Sequence, residues 1–111
     1  MSLELTTEQI GEVAVVVLRG SLDAASAPNL DAALQEHAAS TPLVLDLSAL
    51  DYTSSAGLRV VLAAAKRSAA AHGKFAIGGA HGTVQQVLDI SGFSSMLAVL
   101  PSRDEALAAV R

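Results

Sequence analysis

The 111-residue chain has no cysteine and no tryptophan, and only one tyrosine and two phenylalanines. Without thiols there is no disulfide framework, no thiolate metal site and no cysteine nucleophile, which fits a reducing, cytoplasmic setting. Long apolar runs are missing too: residues 14–18 and 69–71 are short against the ~20 residues of a membrane span. Residues 1–9 are polar and acidic, with no basic segment followed by an apolar one, so no signal peptide is expected. Positive charge is scarce. Seven Lys and Arg, among them Arg19, Arg59, Lys66 and Lys74, are dispersed against eleven Asp and Glu, a net charge of −4. Such a surface has no basic stripe to displace counterions from a phosphate backbone, which argues against nucleic acid as a direct ligand.

What the chain does have is aliphatic mass. It is 51% hydrophobic and contains 22 alanines, a composition for helices packed closely on a Val/Leu sheet, and one that excludes disorder. A chain of this length supports one real core but not two, so residues 1–111 are expected to form a single domain.

Residues 13–18 form an apolar run rich in β-branched valine, preceded across a turn at residues 9–11 by a shorter strand at residues 3–6. This predicts a hairpin. Ser26 is placed to cap a helix over residues 27–39, with Pro28 in its first turn and Leu30, Ala33, Leu34, His37 and Ala38 at helical spacing. Residues 43–47 read as a strand buried on both faces and residues 48–53 as a loop. A second helix starts at Ser54 or Ser55 and ends near His72 and Gly73, with Leu58, Val61, Leu62, Ala65 and Ala69 on one face. A buried strand follows at residues 75–77, then a glycine loop at 78–82 and a short helix capped by Thr83 and stopped by Gly92. A last strand at residues 96–100 and a helix opened by the Ser102 and Glu105 capping box complete the chain. The order implies an α/β domain: a small mixed, mostly parallel sheet with about four helices. In such sheets functional groups gather where strands end and helices begin, an edge holding Asp23, Asp46, residues 53–57 and the 78–82 loop.

Most chemistries find no support there. No Gly-x-Ser-x-Gly elbow occurs, His37 and His72 fall at or near helix ends, and His81 sits in a small loop with no obvious orienting acid. The histidines are isolated from metal-ligand spacing, so neither metal nor cofactor is expected. The 78–82 loop lacks the dinucleotide fingerprint and the lysine of a P-loop, which leaves a tight turn as its simplest reading. The run Thr53, Ser54, Ser55, Ala56, Gly57 is more informative. One hydroxyl can serve as the helix cap. A phosphoryl group on a serine here would face the positive end of the helix and turn a small neutral step into a dianionic bulge.

Four segments together resemble the STAS-domain anti-sigma factor antagonists, also called anti-anti-sigma factors, in order and approximate spacing over nearly the whole chain. They are Arg19-Gly20-Ser21-Leu22-Asp23, Leu43-Val44-Leu45-Asp46-Leu47-Ser48, Asp51-Tyr52-Thr53-Ser54-Ser55-Ala56-Gly57-Leu58 and Asp89-Ile90-Ser91-Gly92-Phe93. The resemblance implies a non-enzymatic STAS domain that captures an anti-sigma factor serine kinase while unphosphorylated, frees the sigma factor, and lets go once phosphorylated. The family's acceptor is the serine two residues before the glycine that opens the helix, here Ser55. This chain departs from the family's frequent Asp-Ser-Ser-Gly: Ser54 replaces the acidic residue and Ala56 the second hydroxyl, making Ser54 an alternative acceptor. By analogy the docking edge comprises Asp23, Ser54, Ser55, Gly57 and Arg59, with backbone approach at Gly57, while Asp46 and Thr53 shape the site. Asp23 also suits a plain turn cap, Asp46 an acceptor for the 48–53 loop, and Arg59 a solvated face. A phosphatase is a further implied partner, and a homodimer is left open by the alanine-rich faces. Two rival readings are a non-switching STAS subunit of a transport system or stress-sensing scaffold, and a small enzyme acting through Ser55 with His81.

Overall fold

The computed structural model describes residues 2–111. Strands β1 (Leu3–Ile10) and β2 (Val13–Leu22) form the predicted hairpin, followed by α1 (Ala27–Gln35), β3 (Leu43–Thr53) and α2 (Ser55–Ala70). Then come β4 (Phe75–Gly78), α3 (Gly82–Ile90), the single turn α4 (Phe93–Met96), β5 (Ala98–Leu100) and α5 (Arg103–Ala109). The sheet order is β1-β2-β3-β4-β5; β1 runs antiparallel to β2 and every other neighbouring pair is parallel.

Alternation along β2 explains how one strand can be apolar at nearly every position. Ala14, Val16 and Leu18 point into the larger core with Leu30 and Leu34 of α1, Leu58 and Val61 of α2, and Val84 and Leu88 of α3. Val13, Val15 and Val17 point to the other face, which Ala106, Leu107 and Val110 at the end of the chain cover. The sheet is therefore a middle layer, and its central strands are buried on both sides.

Five expectations change. The first strand runs on to Ile10, with Gln9 and Ile10 paired to Ala14 and Val13, so the turn is at Gly11 and Glu12 and not at residues 9–11. Residues 48–53 continue β3 rather than forming a loop. After Val17 pairs with Asp46 the register shifts, so that Arg19 pairs with Ala49; it shifts again between Gly20–Leu50 and Ser21–Tyr52. Each shift adds one residue to β3 and reverses its alternation, which is why Leu50 joins the same core as Leu43, Leu45 and Leu47. The first helix stops at Gln35, four residues early, because the chain turns there to enter β3: the Thr41 amide bonds the Ala38 carbonyl. Thr83 lies inside α3 and does not cap it; its hydroxyl donates to the Asp51 carbonyl at 3.1 Å, tying α3 to the end of β3. The last strand begins at Ala98, because buried Phe93 anchors the turn of α4, a fifth helix, and that turn takes up Met96. Gly92 adopts the expected left-handed conformation, φ 82°.

Candidate functional site

Two chain corners meet where β2 and β3 end. Leu22 pairs with Thr53 in the sheet, and the next backbone step joins the corners, with the Ser54 amide donating to the Leu22 carbonyl at 2.8 Å. The Asp23 turn and the Ser54 turn are thereby set side by side.

The Asp23 corner is a reciprocal capping box. The Ser26 amide donates to Asp23 Oδ1 and the Asp23 amide donates to Ser26 Oγ, both at 2.9 Å. The Ser26 hydroxyl also donates to Oδ1. These bonds, the Ser26 amide first and its hydroxyl second, hold the Asp23 carboxyl below its ordinary value of 3.8. Ser26 itself makes no side-chain cap to α1; its role is to complete the box with Asp23.

At the second corner the three hydroxyls separate into three roles. Thr53 is buried, 6% exposed, and its hydroxyl donates to the Ser54 carbonyl at 3.3 Å. Ser54 is extended, φ −94° and ψ 170°, and its Oγ accepts the Gly57 amide at 3.2 Å as the N-cap of α2. Ser55 is the first helical residue, exposed, and makes no side-chain hydrogen bond among the described residues. Arg59 is also exposed and lies one turn further along α2, so Ser55 and Arg59 share a helix face.

Two expected members of the edge are placed elsewhere. Gly57 does not offer open backbone to a visitor. It is buried, and a Cβ there would fall 2.5 Å from Leu22 Cγ, 2.7 Å from Leu22 Cδ2 and 3.0 Å from Thr53 Oγ1. The residue is small so that α2 can sit down on the sheet. Asp46 lies within β3, 5% exposed, and belongs to the α5 face. Its Oδ1 accepts the Ser48 hydroxyl at 2.6 Å and the Ser48 amide at 3.0 Å, and its Oδ2 lies 3.6 Å from Nε of Arg103, which also pairs with Glu8. It anchors α5 to the sheet and is not brought to the Ser54 turn.

Sequence reasoning misses Tyr52, because it reads residues 48–53 as a loop. The ring instead sits on β3 opposite Ser21, immediately before Thr53, and is 45% exposed. The legible signal is the chain's single tyrosine standing next to a hydroxyl run. His81 does not orient Ser55: its Nε2 is 2.9 Å from the Ser48 carbonyl oxygen. Among the described residues no group of three or more His, Asp or Glu could hold a metal ion, and no helix is long and apolar enough to cross a membrane.

The fold that carries this corner is found again in known proteins. The family model of the STAS domain matches residues 4–106. The chain is 39% identical over 111 residues to BtrV of Bordetella bronchiseptica, a putative anti-sigma factor antagonist, covering 98% of this chain and 96% of that protein. The crystal structure of an anti-sigma factor antagonist from Mycobacterium paratuberculosis superposes with a TM-score of 0.90 at 32% identity, covering 99% of this chain and 95% of that one. The fold alone is shared with the phosphorylated form of SpoIIAA, a Bacillus cell fate determinant, at a TM-score of 0.74 and 22% identity over 97% of this chain and 100% of that one. The chain belongs to the STAS-domain family of anti-sigma factor antagonists.

Proposed function

We propose that this protein is a partner-switching antagonist that binds an anti-sigma factor serine kinase when unphosphorylated, so freeing a sigma factor in the cytoplasm, and that phosphorylation of Ser55 ends the complex. The observation that carries this reading is the division of labour at the corner. Thr53 is buried and Ser54 is occupied as a cap, leaving Ser55 as the exposed hydroxyl of the run without a side-chain partner. The similarity to an anti-sigma factor antagonist of known structure supports it.

In the transfer, Ser55 Oγ attacks the γ-phosphorus of ATP bound to the kinase, the bond to the β-phosphate oxygen breaks, ADP leaves, and the hydroxyl proton passes to a base of the kinase. The protein itself is an acceptor and not an enzyme. The product dianion sits at the start of α2, where unpaired N–H groups and the helix dipole favour negative charge, so the fold tolerates it. The partner surface, formed around Ser55 with the Asp23 turn, Ser54, Tyr52 and Arg59, meets charge where it had met a neutral hydroxyl. A penalty of ~3 kcal/mol would weaken binding more than a hundredfold. A phosphatase then restores the binding form.

Incubation with the cognate kinase and ATP, followed by mass spectrometry, should place phosphate on Ser55; phosphate confined to Ser54 or elsewhere overturns the assignment. Ser55→Asp should bind the kinase far more weakly than Ser55→Ala. Equal affinities would refute electrostatic release.

A further inference from the structure

Helix α2 carries no acidic residue. Between Ser55 and Ala70 its charged side chains are Arg59, Lys66 and Arg67, three of the seven Lys and Arg of a chain whose net charge is −4. None of the three forms an ion pair among the described residues, where both ion pairs belong to Arg103. The carboxylates of the elements around α2 do not reach for it. Asp23 at the adjoining corner bonds Ser26, Asp31 on α1 bonds Gln35, and the exposed Asp51 on β3 makes no ion pair.

Arg59 differs from the other two cations in what lies one turn before it. Four residues along a helix is an advance of ~6 Å, and it returns the chain to the same face. Helical side chains lean toward the N-terminus, so a long side chain at Arg59 covers the turn that carries Ser55. Ser55 and Arg59 are both exposed, and neither makes a side-chain hydrogen bond among the described residues. On its own helix the guanidinium therefore has nothing anionic in reach until Ser55 carries a phosphate. An anion one turn N-terminal to a cation is the stronger orientation of such a pair, and the planar, always-charged guanidinium fork suits phosphate oxygens. Lys66 cannot take this part: it lies eleven residues beyond Ser55. That is ~16 Å along the axis, more than the ~10 Å over which 0.1 M salt screens exposed charges.

We propose that Arg59 is the internal partner of the Ser55 phosphate: its guanidinium serves the docking edge while Ser55 is a hydroxyl and folds back onto the phosphate once Ser55 is modified. The inference rests on the Ser55 reading and adds a second cause of release to it. Phosphorylation introduces negative charge at the edge and withdraws a cation from the same edge.

The test installs phosphoserine at position 55 during synthesis of the full chain, so that the pairing is read without any kinase. Followed by phosphorus NMR, the second ionisation of the phosphate should have its midpoint at lower pH in the parent than in Arg59→Gln, by about 0.3 pH unit or more, because the guanidinium favours the dianion. Lys66→Gln should leave the midpoint where it stands in the parent. A midpoint unmoved in Arg59→Gln, or moved as far in Lys66→Gln, would overturn the pairing. With the cognate kinase, Arg59→Gln should weaken the unphosphorylated form about threefold or more and the phosphoserine form by a smaller factor. Equal weakening of the two forms, or none, would overturn the withdrawal of Arg59 from the edge. Equal binding of the parent and its phosphoserine form would sink the Ser55 reading itself, a result the phosphorus comparison does not touch.

Discussion

Substituting Gly57 by alanine sets two effects of opposite sign against each other. Alanine is favoured over glycine in a helix by about 0.8–1 kcal/mol, and less close to a helix start. Against that stands the packing of α2 on the sheet: the new methyl would lie 2.5 Å from Leu22 Cγ and 2.7 Å from Leu22 Cδ2. Leu22 is 1% exposed, so it cannot swing out into solvent, and Thr53, 3.0 Å from the same point, is fixed as its sheet partner. Overpacking of this kind costs about 1–3 kcal/mol. The expected net effect is a loss of ~1–2 kcal/mol, a visible share of the ~5–15 kcal/mol that stabilises a domain. Urea unfolding followed by circular dichroism should show a lower midpoint at unchanged slope.

Changing both positions together gives a sharper test. Leu22→Ala alone should cost about 2–5 kcal/mol, because it removes both atoms that the new methyl would strike and leaves a cavity. In that background Gly57→Ala should no longer destabilise and should recover some helix propensity, giving a coupling of ~2 kcal/mol between the two positions. If Gly57→Ala is as stable as the parent protein, or costs the same with and without Leu22, the inward-packing account fails. A glycine kept small for a docking partner would show the opposite pattern, with stability intact and binding lost.

Ser54→Ala should cost ~1 kcal/mol by removing the cap of α2, or about 4 °C in midpoint, whereas Ser55→Ala should stay within about 0.5 kcal/mol; the reverse ranking in thermal melts would reassign the cap. Because the bonds from Ser26 lower the Asp23 pKa, the Asp23 contribution is present above its ordinary value of 3.8 and is lost as pH falls through the lower folded value. The gap in urea midpoint between the parent and Asp23→Ala should therefore narrow on moving from neutral pH to well below 3.8, and a constant or widening gap would rule this out. His72→Gly should raise stability by about 1 kcal/mol through relief of left-handed strain at φ 58°. A lowered unfolding midpoint would mean that the imidazole contributes more than the strain costs.

Features that depend on neighbours a few residues apart are legible in the sequence alone. Ser102 does accept the Glu105 amide, at 3.1 Å, as their spacing predicts. Asp23 and Ser26 stand at the same separation, yet each reads singly as a cap; only the folded turn shows that each is the other's partner. The doubly buried strands are legible because unbroken apolar runs leave few alternatives. Residues 48–53 are not, since their two register shifts exist only relative to β2, and no local pattern records a partner strand. The role of Asp46 is hidden for the same reason: its position on β3 is clear, but the face it points to depends on α5 arriving from 57 residues later in the chain, at Arg103.

The hydroxyl run shows where this boundary falls at the start of α2. A row of Thr53, Ser54 and Ser55 before a helix implies that one serine caps it, and the cap is the residue whose backbone is still extended when the helix begins. That residue is set by where β3 lets go of β2, after the Leu22–Thr53 pair, and so by tertiary pairing. Moving the strand's end by one residue would exchange the roles of the two serines, capping with one and exposing the other. Gly57 obeys the same logic: a small residue signals that something comes close, and the sheet beneath, through Leu22, fills that space before any partner could. The two bulges of β3 therefore bear on which hydroxyl is free, because they set how far along β2 the strand runs before Ser54 turns away.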